Sequence, residues 1–147
     1  MFFFDEPPSG IIETVSPSYL WYFLPIGYVT TILIETTVLI FLLSPKMSLR
    51  QKILCGIWLT ACTYPIVVLV LPTLMANSPR WLYLLVAESF AHFGECVIFW
   101  LAFRGREDFD TNDWIRCFIA VFLANLASFG IAIAHVLAEF PFLIKML

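Results

Sequence analysis

Four long apolar stretches dominate this chain, and they constrain its fold more than any other feature. A helix needs about 20 apolar residues to cross the hydrocarbon core of a bilayer. The stretches that reach this length are Tyr19–Leu43, Ile53–Met75, Trp81–Phe103 and Trp114–Phe140. Only 13% of the 147 residues are charged, against about 25% in a soluble domain. The sequence therefore predicts an all-α integral membrane protein with four transmembrane helices.

This composition also limits the functions that the chain can have. With 61% hydrophobic residues and a net charge of −3, the chain is neither an ordinary soluble enzyme nor a disordered protein. It has no basic face for nucleic acid, so membrane lipid is the expected partner. The four cysteines lie inside the apolar stretches without the spacing of a zinc site, and we interpret them as packing residues.

The lysines and arginines predict the orientation. Cytoplasmic loops of membrane proteins carry an excess of these residues. Six lie in or beside the loops that follow the first and third stretches, and two lie on the opposite side. We therefore expect loops 44–52 and 104–113 in the cytoplasm. Both termini, including an N-terminal segment 1–18, are expected on the extracytoplasmic side.

The single transmembrane domain looks like one helical hairpin written twice, as residues 19–75 and 81–140. Each hairpin has a glutamate in its first helix. Its second helix has an amide or hydroxyl side chain, followed three residues later by a hydroxyl. These residues are Glu35, Thr60 and Thr63 in the first hairpin, and Glu95, Asn125 and Ser128 in the second. Two copies of one orientation predict a pseudo-twofold axis along the membrane normal.

Four glutamates lie inside the predicted spans, where no lysine or arginine lies deep enough to neutralise them. They are Glu35, Glu88, Glu95 and Glu139. An ionised side chain at the bilayer centre costs roughly 2.5–3.5 kcal/mol on insertion scales. We therefore expect these carboxyl groups to carry protons, or to be compensated by cations and hydrogen-bond donors.

The spacing of these acids suggests a site. Glu88, His92 and Glu95 lie at positions i, i+4 and i+7, on one face of the third helix. With Glu35 they form a candidate cation or proton site, and a divalent metal is a candidate ligand of the three on the third helix. We expect Glu35 and Glu95 to meet across the pseudo-twofold axis and to share a proton. His135 and Glu139 form a second candidate pair toward the outer side.

Three functional interpretations remain open at this stage. The first is a small membrane protein that handles protons or a cation at Glu35, Glu88, His92 and Glu95. The second is an accessory subunit that binds protein, lipid or pigment, with protonated glutamates bonded to Thr60, Thr63, Asn125 and Ser128 as glue between helices. The third, a metal-dependent intramembrane enzyme, ranks last because no nucleophile or hydrolase motif is present, so no catalytic residue is assigned. Four spans favour a homo-oligomer or a larger complex.

Overall fold

The computed structural model describes residues 17–139, with side chains over 24–134. Four long helices make up this part of the chain: α1 (Pro17–Leu42), α2 (Leu49–Leu74), α3 (Arg80–Phe103) and α4 (Thr111–Glu139). Each is long and apolar enough to cross a membrane, and the described residues form no strand. The prediction of an all-α, multi-pass membrane protein is confirmed. Segment 1–18 and the last predicted span, which ends at Phe140, extend beyond the described residues.

The four helices form a ring in chain order. Helix α1 packs against α2 and α4, and α3 packs against the same two helices, while α1 and α3 face each other diagonally. The loops 43–48 and 104–110 lie at one end of the bundle, called here the loop end. The start of α1, the α2–α3 link and the C-terminal part of α4 lie at the other, called the terminal end. A ring of this order is what two hairpins related by a central twofold axis produce.

Polar caps start both helices that leave the loop end. The Ser48 side chain accepts a hydrogen bond from Gln51 N, and the Gln51 side chain accepts one from Ser48 N, which forms a capping box. In the second hairpin, Asp113 N donates to Asp110 Oδ1 at 2.9 Å and Asp110 N donates to Asp113 Oδ2 at 3.2 Å. The apolar stretch predicted from the sequence begins at Trp114, whereas Asp110 takes the capping position and α4 begins three residues earlier, at Thr111.

Helix α2 changes its winding between two prolines. It is α-helical over Leu49–Pro65, π-helical over Ile66–Val70 and α-helical again over Leu71–Leu74. The backbone N–H groups that could reach the Val67 carbonyl are those of residues 71 and 72. Leu71 N donates to Ile66 O instead, and Pro72 has no N–H, so the Val67 carbonyl has no backbone donor from either residue. The Tyr83 hydroxyl of α3 donates to it instead, at 3.1 Å. A neighbouring helix thus satisfies a carbonyl that would otherwise lie unpaired in the membrane.

The tightly packed core occupies only the half of the bundle near the loop end. Its fully buried side chains include Leu39, Leu43, Leu59, Phe99, Cys117, Ala120, Val121 and Ala124. In the half near the terminal end, the one buried side chain among residues 24–134 is Ala87. Alanines spaced by multiples of four residues on α4 follow this gradient, because Ala120 and Ala124 are buried whereas Ala132 is exposed. The bundle is therefore closed toward the loops and loosely packed toward the termini.

The two hairpins differ in how closely their helices approach. A Cβ atom on Gly56 of α2 would lie 2.8 Å from Thr36 Cα of α1, so only glycine permits this contact. At the equivalent position of the second hairpin α4 carries Val121, which is fully buried. The side chain keeps α3 and α4 further apart than α1 and α2.

Candidate functional site

The Glu35 carboxyl lies at the centre of the bundle and contacts two hydroxyl groups. It is 3% exposed. Its Oε2 lies 2.7 Å from Thr60 Oγ1 of α2, and its Oε1 lies 2.9 Å from Ser128 Oγ of α4. Both oxygens of the carboxyl are thus engaged by the two helices that neighbour α1.

The Glu95 carboxyl of α3 is held in the same way. It is 2% exposed. Its Oε1 lies 2.9 Å from Thr63 Oγ1 of α2, and Asn125 Nδ2 of α4 donates to its Oε2 at 2.6 Å. The structure therefore brings together six of the predicted residues: the two glutamates and the four polar residues expected to support them. We call this group the carboxyl pair.

The contacts of the carboxyl pair follow the symmetry predicted from the sequence. Within each hairpin, the glutamate contacts the first polar position of the second helix, Thr60 or Asn125. Across the hairpins, it contacts the second polar position of the other copy, Ser128 or Thr63. This is the exchange that a twofold axis through the bundle centre produces. It links all four helices in one layer.

Counting hydrogen atoms indicates that Glu35 carries a proton. Thr60 Oγ1 has one hydrogen, yet it lies 2.8 Å from Gly56 O as well as 2.7 Å from the carboxyl. Ser128 Oγ likewise lies 2.9 Å from both Asn125 O and the carboxyl. A hydroxyl that faces two acceptors can bond to both only if one of them donates a proton to it. A proton on Glu35 does this for one of the two hydroxyls.

The same count applies to Glu95. The Asn125 amide has two hydrogens, which serve Glu95 Oε2 and, at 3.2 Å, Val121 O. Thr63 Oγ1 has one hydrogen and lies 3.1 Å from Leu59 O and 2.9 Å from Glu95 Oε1. A proton on Glu95 Oε1 completes this set, because it is donated to Thr63, which in turn donates to Leu59 O. The count therefore favours a neutral form of each carboxyl group.

Glu88 lies on the same face of α3 as Glu95 but does not join the pair. Seven residues turn a helix to within about 20° of its starting direction and advance it by about 10 Å. Glu88 therefore faces the bundle interior about two turns nearer the terminal end. It is only partly buried, and no described residue forms a hydrogen bond with its carboxyl group.

His92 is separated from the carboxyl pair. Its Nδ1 lies 2.7 Å from Glu88 O of its own helix, so Nδ1 donates and Nε2 keeps a lone pair. The ring packs against Phe122 of α4, with 4.8 Å between ring centroids, and Nε2 is buried without a hydrogen-bond partner among the described residues. The predicted four-residue site thus divides into a bonded carboxyl pair, an interior Glu88 and a lateral His92.

The expected metal site at Glu88, His92 and Glu95 does not form. Among the described residues, no three His, Cys, Asp or Glu side chains lie close enough to hold a metal ion. The reason is directional: both Glu95 oxygens point to donors on α2 and α4, and the backbone of α3 holds the imidazole of His92. The side chains of His135 and Glu139 lie outside the described residues.

Sequence reasoning missed a second polar group, at the loop end. Ser44 Oγ donates to Asp113 Oδ1 at 2.6 Å, and Lys46 Nζ contacts both Asp113 and Asp110. Arg106 pairs with Asp108 and donates to Lys46 O at 3.1 Å. We call these residues the loop latch. From the sequence we expected only that 104–113 forms a cytoplasmic loop, because mixed charges in sequence do not reveal contacts with the other hairpin.

The loop latch shifts the titration of its members and ties the hairpins together. The hydrogen bond to Asp113 raises the pKa of Lys46, and the Arg106 guanidinium lowers the pKa of Asp108. Two more basic residues bind the last carbonyls of α1. Lys52 Nζ donates to Ile40 O and Leu43 O, both at 3.1 Å, and Arg116 Nε donates to Leu42 O at 2.8 Å.

Comparison with known proteins finds no family model, no curated protein and no solved structure that matches this chain. A function must therefore be inferred from the carboxyl pair and its surroundings.

Proposed function

We propose that this protein is a proton-binding membrane module in which the Glu35–Glu95 pair takes up and releases protons between two helical hairpins. The observation that carries the proposal is the pair itself: two carboxyl groups, 2–3% exposed, with both hairpins contributing to the bonding of each. Neither makes a salt bridge to a described residue, since the salt bridges of residues 24–134 lie at the loop end.

The chemistry of the pair favours a proton over a metal ion. All four carboxyl oxygens already contact a hydroxyl or amide group, and a metal would have to displace these contacts. A proton needs no additional space, and the hydrogen count favours its presence. We therefore restrict the first functional interpretation, which allowed either protons or a cation, to protons.

Release of a proton would alter the contact between the hairpins. An ionised carboxylate inside the membrane costs roughly 2.5–3.5 kcal/mol, and no basic side chain contacts this one. Water must therefore enter, or the hairpins must separate. Protonation is coupled in this way to the distance between the hairpins. With loops 44–52 and 104–113 in the cytoplasm, a change in that distance would move these loops and so signal the protonation state to the cytoplasmic side.

Infrared spectroscopy of the purified protein in lipid nanodiscs tests the proposal. The C=O band of protonated carboxyl groups should weaken reversibly as the pH rises, and Glu35→Gln and Glu95→Gln should each remove part of the titrating band. Glu107→Gln, in an exposed loop, is the matched control and should leave it unchanged. A band that does not titrate between pH 4 and pH 10 contradicts the proposal.

A second candidate is an accessory subunit whose carboxyl pair stays protonated permanently and serves as glue. Complete bonding of the pair at 2–3% exposure favours it, and so do the exposed apolar residues of α4 near the terminal end, Ile131 and Ile133, which a partner subunit or a second copy could cover. In this case the carboxyl band does not titrate, and native mass spectrometry from nanodiscs finds a homo-oligomer or a co-purifying subunit that persists in the Glu→Gln variants.

A further inference from the structure

We infer that protons reach the carboxyl pair from the terminal end only, and that Glu88 is the residue that passes them on. The inference rests on the proposed function. It is carried by the position of two glutamates on one interior face of α3. The partly exposed Glu88 lies about two turns nearer the terminal end than the buried Glu95. On the other side of the pair the bundle is closed.

The loop half of the bundle is a barrier to protons. Between the carboxyl pair and the loop end lie the buried side chains of Leu39, Leu59, Phe99, Val121 and Ala124. The titratable groups in this layer are the thiols of Cys55 and Cys117, both buried, and that of Cys96, which is partly buried. The layer contains one buried hydroxyl without a partner, Thr36 Oγ1, but no carboxyl or imidazole group that could relay a proton. Beyond it, the loop latch closes the end of the bundle.

The terminal half offers a polar route. Ala87 is the one buried side chain there among residues 24–134. Apart from the glutamates and His92, the titratable groups of the terminal half among residues 24–134 come from three helices: Tyr28 of α1, Tyr64 of α2, and Tyr83 and Arg80 of α3. The rings of Tyr28 and Tyr64 are in contact, with 5.8 Å between their centroids. Helix α4 contributes no titratable side chain between Ser128 and Ala134.

The proton transfer is balanced with water as the only co-reactant. A hydronium ion from the terminal side gives its proton to the Glu88 carboxylate and leaves as water. Glu88 then gives the proton, through intervening water, to an ionised Glu95 Oε1, and Glu88 returns to its ionised form. One proton enters, one O–H bond forms on Glu95, and Glu88 ends with the same negative charge that it had at the start.

His92 lies off this route. Its Nδ1 hydrogen is held by Glu88 O, and its ring packs toward Phe122. Nε2 is buried without a hydrogen-bond partner among the described residues, so no hydrogen bond connects the ring to the carboxyl pair. His92 is therefore a matched control for Glu88: both residues are ionisable, lie on the same helix and are one turn apart.

Proton exchange can be followed from each side of a vesicle membrane. Vesicle orientation is determined with Arg50→Cys, because this exposed position in the first turn of α2 is accessible to an impermeant maleimide. After a rapid pH jump, the carboxyl C=O band should respond at least ten-fold faster from the terminal side than from the loop side. Glu88→Gln should slow the terminal-side response at least ten-fold while the band still titrates at equilibrium, Glu88→Asp should restore part of the rate, and His92→Gln should leave it unchanged.

Several outcomes would overturn the inference while leaving the proposed function intact. Equal rates from both sides would mean that the loop half is not a barrier. A wild-type rate in Glu88→Gln, or an equal loss of rate in His92→Gln, would remove Glu88 as the transfer residue. A band that does not titrate even at equilibrium contradicts the proposed function itself, which separates the two failures.

Discussion

Replacing Glu95 by glutamine and by leucine should give sharply different stabilities, because the structure assigns the carboxyl one donated and one accepted bond. A glutamine can place its carbonyl oxygen toward Asn125 and its amide toward Thr63, as neutral glutamic acid does with Oε2 and the Oε1 proton. The free energy of unfolding of Glu95→Gln should therefore stay within about 0.5 kcal/mol of wild type.

Leucine removes both bonds. Side-chain hydrogen bonds between membrane helices average about 0.6 kcal/mol and reach about 1.7 kcal/mol, so the loss of two predicts about 1.2 kcal/mol and at most about 3.4 kcal/mol. The lower figure is favoured, because Thr63 keeps its bond to Leu59 O at 3.1 Å and Asn125 keeps its bond to Val121 O at 3.2 Å. Only one N–H of the Asn125 amide then loses its acceptor.

The reverse change should cost more. The double variant Thr63→Val with Asn125→Leu retains Glu95 but strands its carboxyl group, and an unsatisfied buried polar group costs about 1–3 kcal/mol beyond the two lost bonds. The expected order of stability is wild type, Glu95→Gln, Glu95→Leu, then the double variant. Reversible unfolding in mixed micelles, followed by circular dichroism, measures it.

One result would refute the proton count. If Glu95 were ionised, wild type would carry a charge inside the membrane at a cost of roughly 2.5–3.5 kcal/mol, and glutamine would remove that cost. Glu95→Gln would then be more stable than wild type by about that amount. A gain of this size would therefore show that the carboxyl is charged.

Three further outcomes are expected. Gly56→Val should destabilise the bundle by about 1–3 kcal/mol, because its side chain would meet the α1 backbone, and thermal melts should show a smaller loss for Gly56→Ala. Tyr83→Phe should cost about 1 kcal/mol and speed amide exchange in the π-helical turn, since the Val67 carbonyl loses its donor; unchanged exchange there would contradict this role. The raised pKa of Lys46 means that its stabilising contact with Asp113 is complete below the ordinary lysine pKa and is lost as pH rises through the raised one. Alkaline titration should therefore lower the melting temperature of wild type but not, over that range, of Lys46→Met.

The sequence predicted the helices and the members of the carboxyl pair for separate physical reasons. Hydropathy locates the spans, because the bilayer sets the length of an apolar helix. The polar partners were recognisable because a side chain such as Asn125 inside a span needs a bonding partner, and the repeat related it to Thr60. Hydropathy located the helix starts less well, since caps such as Ser48 and Asp110 lie in polar loops that a window of apolar residues does not include.

The predicted metal site shows where pattern reasoning from one helix ends. Spacing along α3 places Glu88, His92 and Glu95 on one broad face, but ligands must also converge on a point. Convergence depends on the neighbouring helices, and here the donors on α2 and α4 turn Glu95 sideways while a backbone carbonyl holds His92. Nothing in the sequence of α3 records those directions. The loop latch escaped prediction for the same reason, because its partners are more than sixty residues apart.

The difference between Glu88 and Glu95 shows why packing, rather than residue type, assigns their roles. Both are glutamates on one interior face of α3, separated by about two turns. Glu95 lies where the helices converge, so four helices enclose the pair and complete its bonding without a charge. Glu88 lies where the bundle widens, so its carboxyl is partly exposed and unbonded by any described residue. A buried neutral carboxyl is suited to holding a proton, and an exposed unbonded one to exchanging it. In the proposed function, the burial gradient along a single helix would place proton exchange at Glu88 and proton storage at Glu95, with the apolar core beyond Glu95 ending the path.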